Sequence, residues 1–373
     1  MPSTETLQEA ERVMVICNAC RYCEGYCAVF PAMERRLAFS DGDLNYLANL
    51  CHGCGACYYA CQYAPPHEFA VNVPQTFARL RAETYRDYTW PGFLGGLIER
   101  NGLAVALIAT ASLVIFLLAT FYLVEPAVMF AAHTGEGAFY AVIPHNVMVL
   151  TFGSVSLYVL AALVMGFVHF WRDIGERLGD FVEPGALGRG IGDVLTLRYL
   201  GGGGDGCTYP DERPSQTRRW FHHLTFYGFM LCFAATCVAT LYHYAFGWEA
   251  PYPYTSLPVL LGTVGGLGLL VGPAGLLWLK RASDPEPLEP RQRGMDVAFL
   301  VLLLLSSLTG LVLLALRETP AMGVLLAVHL GVILGLFLTL PYGKFVHAVY
   351  RFAALVRYSL ERSRPLTIDL PVE

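Results

Sequence analysis

Apolar residues are spread unevenly along this 373-residue chain. Residues 1–93 mix polar and apolar positions at short range, as soluble sequence does. From residue 94 onward, long apolar runs alternate with short polar loops. Six runs reach the roughly 20 apolar residues that a helix needs to cross a bilayer. They cover 94–124, 146–171, 220–246, 257–279, 295–316 and 321–350. Core helices of a soluble protein would not supply six runs this long. The pattern predicts a mainly α fold with a small domain over 1–93. A six-helix transmembrane domain follows over 94–373, with a polar loop at 172–219. The last run is the longest, and Pro341 is expected to kink it because proline removes a backbone donor.

Composition agrees with this division. The chain is 55% hydrophobic and 15% charged, with net charge −5. A soluble protein carries about a quarter charged residues. Nothing in the charge balance points to nucleic acid. Basic residues set the orientation of membrane proteins. Of 25 Lys and Arg, all but Arg317 fall before or at the start of the first run, in the loops after the second and fourth runs, or toward the end. Both termini, the small domain and the loop 172–219 are therefore expected on the cytoplasmic face of the inner membrane, with the runs in the lipid bilayer.

The small domain carries the sharpest chemical signal. Cys17, Cys20, Cys23 and Cys27 read C-x2-C-x2-C-x3-C. Cys51, Cys54, Cys57 and Cys61 repeat that spacing 34 positions later. Such runs hold [4Fe–4S] clusters, and in two-cluster ferredoxins the fourth cysteine of each run serves the other cluster. The expected quartets are Cys17, Cys20, Cys23 and Cys61, and Cys51, Cys54, Cys57 and Cys27. Structural zinc sites usually pair two C-x2-C halves and leave a third close cysteine unused. A disulfide framework belongs to small secreted domains, and no signal peptide precedes these cysteines. The usual Cys-Pro ending is replaced by Ala28 and Gln62, which alters the local turn but not the ligands. His52, between two ligands, reads as a solvent-facing loop residue.

Ionisable groups inside membrane runs mark function. His329 and His347 lie 18 positions apart on the last run. On one continuous helix that is five full turns, with both rings on one face and roughly 27 Å between them. That arrangement suits a two-haem, b-type cytochrome helix. The third run supplies opposing histidines: His222 and His223 at its start and His243 at its end. Phase favours His222 over His223. The expected pairs are His347 with His222 and His329 with His243. His145 and His169, flanking the second run, are alternative ligands. His133 reads as a surface residue.

The remaining segments say less. Gly201–Cys207 reads as a flexible connector, and the long loop around it as a docking surface for a partner. Cys232 and Cys237 read as small apolar helix residues. Residues 247–256 form an aromatic interfacial loop. Arg317 and Glu318 read as a local ion pair, and 284–290 as a rigid proline-rich connector.

The doubled cysteine run followed by six apolar runs resembles the tricarballylate-utilisation protein B family, also called CitB-type. The segments RRWFHHLTFYGFMLCFAATCVATLYH and LAVHLGVILGLFLTLPYGKFVHAVYRFAALVRYSLE carry the resemblance over nearly the whole chain. The last run also resembles the haem-binding helix of the nitrate reductase gamma subunit. It matches at His329, Pro341, Tyr342, Lys344, Val346 and His347. The resemblance implies electron transfer from a cytosolic FAD-dependent dehydrogenase, that of tricarballylate, through two [4Fe–4S] clusters and haem b to membrane quinone. The fold it implies is a ferredoxin-like domain ahead of a cytochrome b type bundle. The sequence shows no flavin or nicotinamide fold, so it reads as the electron-transfer component of an oxidoreductase. Rival expectations are the same role for another flavoprotein or a disulfide reductase, and a redox sensor or transporter with regulatory clusters.

Overall fold

The computed structural model describes residues 2–99 and 101–365. Local capping places the cysteines. Ser3 Oγ accepts the Thr6 amide at 3.2 Å and opens the helix Thr4–Cys20. Arg21 then turns left-handed (φ 55°) and returns its N–H to Cys17 O at 2.8 Å. The helix ends on Cys20, and the chain doubles back through Cys23 and Cys27. A capping box of Ser40 and Asp43 opens the helix Asp41–Leu50. That helix stops at Cys51. Gly53 (φ 58°) and Gly55 (φ 80°) carry the chain into the short helix Ala56–Tyr59, which bears Cys57. Each cysteine run thus begins at a helix end and continues through tight turns. The helix Val73–Asp87, capped by Asn72, packs against both longer helices.

Among the described residues, six helices are long and apolar enough to cross a membrane. They are Gly102–Leu123, His145–Asp173, Thr217–Phe246, Leu257–Ala282, Pro290–Leu316 and Met322–Tyr342, here the first to sixth spans. The third and fourth spans approach closely through small residues, as membrane helices do. A Cβ at Gly228 would meet Gly265 O at 2.8 Å, and one at Gly265 would meet Gly228 O at 2.8 Å.

The last apolar run differs from expectation. Its helix ends at Thr339, passes through a 3-10 turn at Leu340–Tyr342 and restarts as a separate helix, Val346–Ser363. Pro341 lacks a donor and Gly343 adopts an extended conformation (φ −123°, ψ −166°), so the kink becomes a break. His329 and His347 therefore stand on different helices, and the common-face argument from helical phase does not apply.

The cysteine-bearing region is not a tethered appendage. Met14, Phe30, Leu47 and Phe77 share one apolar core with Phe170 and Trp171 of the second span and with Ala353 and Val356 of the terminal helix. Ion pairs seal the seam. Arg36 bonds Glu361 and, at 2.7 Å, Asp43, while Arg357 reaches Asp43 at 3.2 Å and Glu361 at 3.3 Å. Tyr46 donates its hydroxyl to Glu361 at 2.9 Å beneath both guanidiniums. At the same end of the bundle, Asp296 receives Lys280 and Lys344, each at 2.7 Å.

Candidate redox site

The turns between helices bring thiols from the two runs together. Cys17 has the thiols of Cys23, Cys61 and Cys20 as neighbours. Cys57 has Cys54, Cys51 and Cys27, with Cys23 beyond them. The fourth cysteine of each run thus stands with the first three of the other. Burial, with neighbouring thiols second, pushes Cys17 and Cys23 up to about 12. The same causes raise Cys27 and Cys57 well above an ordinary thiol. All eleven cysteines are free thiols.

Two observations bear on what the thiols could hold. Cys27, Cys51, Cys54 and Cys57 line one narrow void of about 10 Å³. Among the described residues, no group of three or more His, Cys, Asp or Glu is set to hold a single metal ion. A tetrahedral zinc with Zn–S near about 2.3 Å would need four sulfurs within about 3.8 Å of one another. A multi-iron body spreads its ligands wider, and eight soft thiols in two quartets suit it.

The two quartets have different settings. Cys20 is exposed, whereas Cys51 and Cys54 are 6% and 8% exposed. The loop 201–209 lies over the second run instead of swinging free as a connector. A Cβ at Gly55 would meet Thr208 O at 2.4 Å, and Thr208 Oγ1 donates to Cys54 O at 3.4 Å. Cys207 is fully buried and donates Sγ–H to Leu200 O at 3.2 Å. A hydrogen bond with Cys207, then burial, raises the Cys54 thiol. The connector 284–290 caps the same run, with Tyr58 donating to Glu286 at 2.5 Å and Tyr59 to Asp284 at 2.7 Å.

His52 departs from its expected solvent-facing place. It is half-buried, and its Nδ1 bonds Leu50 O at 2.8 Å. Burial, then Arg351, lowers it well below an ordinary imidazole, and His222 is among its neighbours. Arginines from three elements surround this segment. Arg81 donates to Ala48 O and, at 3.3 Å, to Cys51 O. Arg218, at the start of the third span, donates to Gly53 O at 2.5 Å and His52 O at 3.2 Å. Arg351, on the terminal helix, donates to Cys51 O at 2.8 Å.

The histidines fall into two unlike settings. His222 and His347 face each other with ring centroids 6.4 Å apart. Two imidazoles on opposite sides of one iron, each with Fe–N of about 2 Å, would have centroids roughly 6.3 Å apart. His347 Nδ1 bonds Lys344 O, which leaves Nε2 free for a metal. Among the described residues, Nδ1 of His222 is buried without a partner. At the other end, His243 stacks on His145 at 3.8 Å and 22°. That stack leaves no place for an iron between the two rings. His329 bonds Thr309 Oγ1 at 3.0 Å, and among the described residues it makes no ring contact with His243. His223 stacks on Tyr227, His169 is exposed, and His133 bonds Val128 O at 2.8 Å. Arg317 pairs with Glu318 at 4.0 Å, but its shorter bond is to Tyr252 O at 2.7 Å. It borders a cavity of about 580 Å³ with residues of the aromatic loop 247–256.

Comparison with known proteins then decides the family. A family profile described as "Citrate utilization protein B" matches residues 96–367. Another, "Citrate utilization protein B Fer4-like domain", matches 10–87. The chain is 53% identical over 362 residues to the citrate utilization protein B of Escherichia coli, covering 97% of this chain and 94% of that one. The chain belongs to the citrate utilization protein B family. No solved structure matches it. In this family member, the boundary between the two profiles falls between residues 87 and 96, just ahead of the first span.

From the sequence, His52 reads as a solvent-facing loop residue and Cys207 as part of a flexible connector, and the three arginines are not singled out. Two of the arginines left a trace there. Arg218 lies four residues before His222, and Arg351 four residues after His347. On a helix that spacing sets each arginine one turn from its histidine on the same face.

Proposed function

We propose that this chain is a membrane-bound electron-transfer protein. It takes electrons from a reduced FAD-dependent dehydrogenase, tricarballylate dehydrogenase foremost, and delivers them to membrane quinone. The division is a cytoplasmic ferredoxin-like domain over 1–93 and a transmembrane domain over 94–373. The inner membrane is its place, with both termini and the cysteines cytoplasmic. The concentration of basic residues on one side supports that orientation.

In this reading Cys17, Cys20, Cys23 and Cys61 hold one [4Fe–4S] cluster, and Cys27, Cys51, Cys54 and Cys57 the other. His222 and His347 hold haem b. When bound, these groups supply one-electron redox chemistry to a chain whose own side chains lack it. The residues supply the rest. The helix ends and glycine turns fix the thiols. Lys344 O orients His347. The shared apolar core holds the cysteine turns against the histidine pair. A second haem on His243 and His329 would require His243 to leave His145 and His329 to leave Thr309.

The observation that carries this reading is adjacency: the second cysteine run and the 6.4 Å histidine pair meet at His52, Arg218 and Arg351. Anaerobic addition of reduced flavoprotein to the purified chain tests it. Bleaching of broad cluster absorbance followed by sharpening of haem bands is expected. Absence of haem bands in protein purified with its clusters intact would refute the haem assignment.

A further inference from the structure

Buried cations need counter-charges, because an unpaired charge out of water is costly. Arg81 is 6% exposed, and Arg218 and Arg351 are half-buried. Among the described residues, none of the three forms an ion pair with a carboxylate. All three donate to neutral carbonyls of the short stretch 48–53 that presents Cys51, and Arg218 also lies over the Tyr209 ring at 4.7 Å with the Cys207 thiol beside it. They come from three places far apart in sequence: the helix Val73–Asp87, the start of the third span and the terminal helix. Around the first run, by contrast, the nearby charges Arg21 and Glu24 are exposed and opposite in sign.

We propose that Arg81, Arg218 and Arg351 form a cationic cradle that makes the second quartet (Cys27, Cys51, Cys54 and Cys57) the higher-potential, outgoing centre, with electrons received at the first quartet beside exposed Cys20. The inference rests on the cluster assignment above. Four thiolates around a [4Fe–4S]2+ core are a net anion, and gaining one electron adds one more negative charge. Burial alone disfavours that addition. Three fixed guanidiniums favour it, and net charge and hydrogen bonding are the levers that set cluster potentials. Arg218 and Arg351 also sit one turn from His222 and His347, so the cradle touches the histidine pair that would take the electron next. The donor is the reduced flavin of the partner, which gives up its two electrons one at a time. The cradle acts through position and charge and is not itself oxidised or reduced.

The test is a stepwise reductive titration of the air-free, full-length chain in detergent, read by low-temperature electron paramagnetic resonance. Cys20→Ser and Cys57→Ser assign each signal to its quartet. The second-quartet signal is expected to develop first as the potential is lowered. Arg351→Gln is expected to move that signal to lower potential and leave the other in place, and Arg351→Lys to restore most of the shift. An Arg12→Gln control, at an exposed pair with Glu9, moves neither signal. The unshifted first-quartet signal reports that a variant has folded. The cradle is refuted if the second quartet reduces at the lower potential, or if Arg351→Gln moves both signals equally or neither. Iron content separates the two readings. A chain with about eight iron atoms but no selective shift refutes the cradle alone. A chain without iron refutes both.

Discussion

Two cysteine runs with identical spacing live in different surroundings. The first ends in an exposed helix terminus, with Cys20 in solvent. The second is enclosed by a glycine-rich loop, an acidic connector, three arginines and the histidine pair. Spacing therefore fixes which chemistry each run can perform, and residues roughly 30 to 300 positions away fix where it stands in a sequence of events. Nearly all of what distinguishes the second run is contributed by the loops and helix ends of the apolar domain. A ferredoxin-like unit is in this way built into the membrane protein, with a core in common.

The comparison breaks hardest at the ligands. Cys51→Ala should remove about half of the iron and also lower the thermal midpoint, because Cys51 lies in the shared core. Cys20→Ala should cost a similar share of iron and leave the midpoint nearly unchanged. Iron assay and a melting curve on each variant check this. Equal thermal effects would show that the two settings do not differ in the way described.

Charge at the seam comes next. Glu361 is 8% exposed and serves Arg36, Arg357 and Tyr46. Glu361→Ala leaves Arg36 and Arg357 sharing Asp43 and removes the acceptor of Tyr46, and should cost about 3 kcal/mol, the low end for a broken buried pair. Glu9→Ala, which loses only the exposed 2.8 Å pair with Arg12 on the first helix, should cost less than about 1 kcal/mol. Denaturation in one detergent compares them.

Glycines give a smaller contrast. Gly55 has φ 80° and faces Thr208 O, so Gly55→Ala should cost about 1–3 kcal/mol and loosen the loop 201–209, seen as faster proteolysis. Gly25, in the first run, has open space where a Cβ would go, and Gly25→Ala should be close to neutral.

Acid sharpens the comparison least. The thiols are held protonated by burial, with Cys17 and Cys23 raised to about 12, and ligation must release those protons. Loading of the metal-free chain with iron and sulfide should therefore become more complete as pH rises from about 6 to 9. Loading independent of pH would contradict this.

Much of the architecture was legible because its signals are local. The six apolar runs needed only length, and most helix ends moved by a few residues, while the first span begins at Gly102 instead of 94 and the last ends at Tyr342 instead of 350. The cysteine spacing needed only a motif. What escaped detection depended on long-range packing. The break at Leu340–Gly343 defeated a phase argument that assumed one helix through Pro341. His222 and His347 nevertheless meet, because the terminal helix turns onto the cysteine region and returns His347 to the start of the third span. Arg81, Arg218 and Arg351 look like ordinary basic flanks in the sequence. Their convergence on one turn appears only once three helices are assembled. The loop after Gly201 looked flexible because its glycines were read as freedom, whereas Gly202 packs on Ala56 and Gly203 on Gly25 and Tyr26 of the cysteine runs.

The central claim is that the two runs hold iron and sulfide next to the His222–His347 pair. Metal and acid-labile sulfide analysis of the intact chain, purified without air, tests it most directly. About eight iron and eight sulfide per chain are expected, with further iron extractable as haem. About two zinc per chain and no sulfide would contradict it.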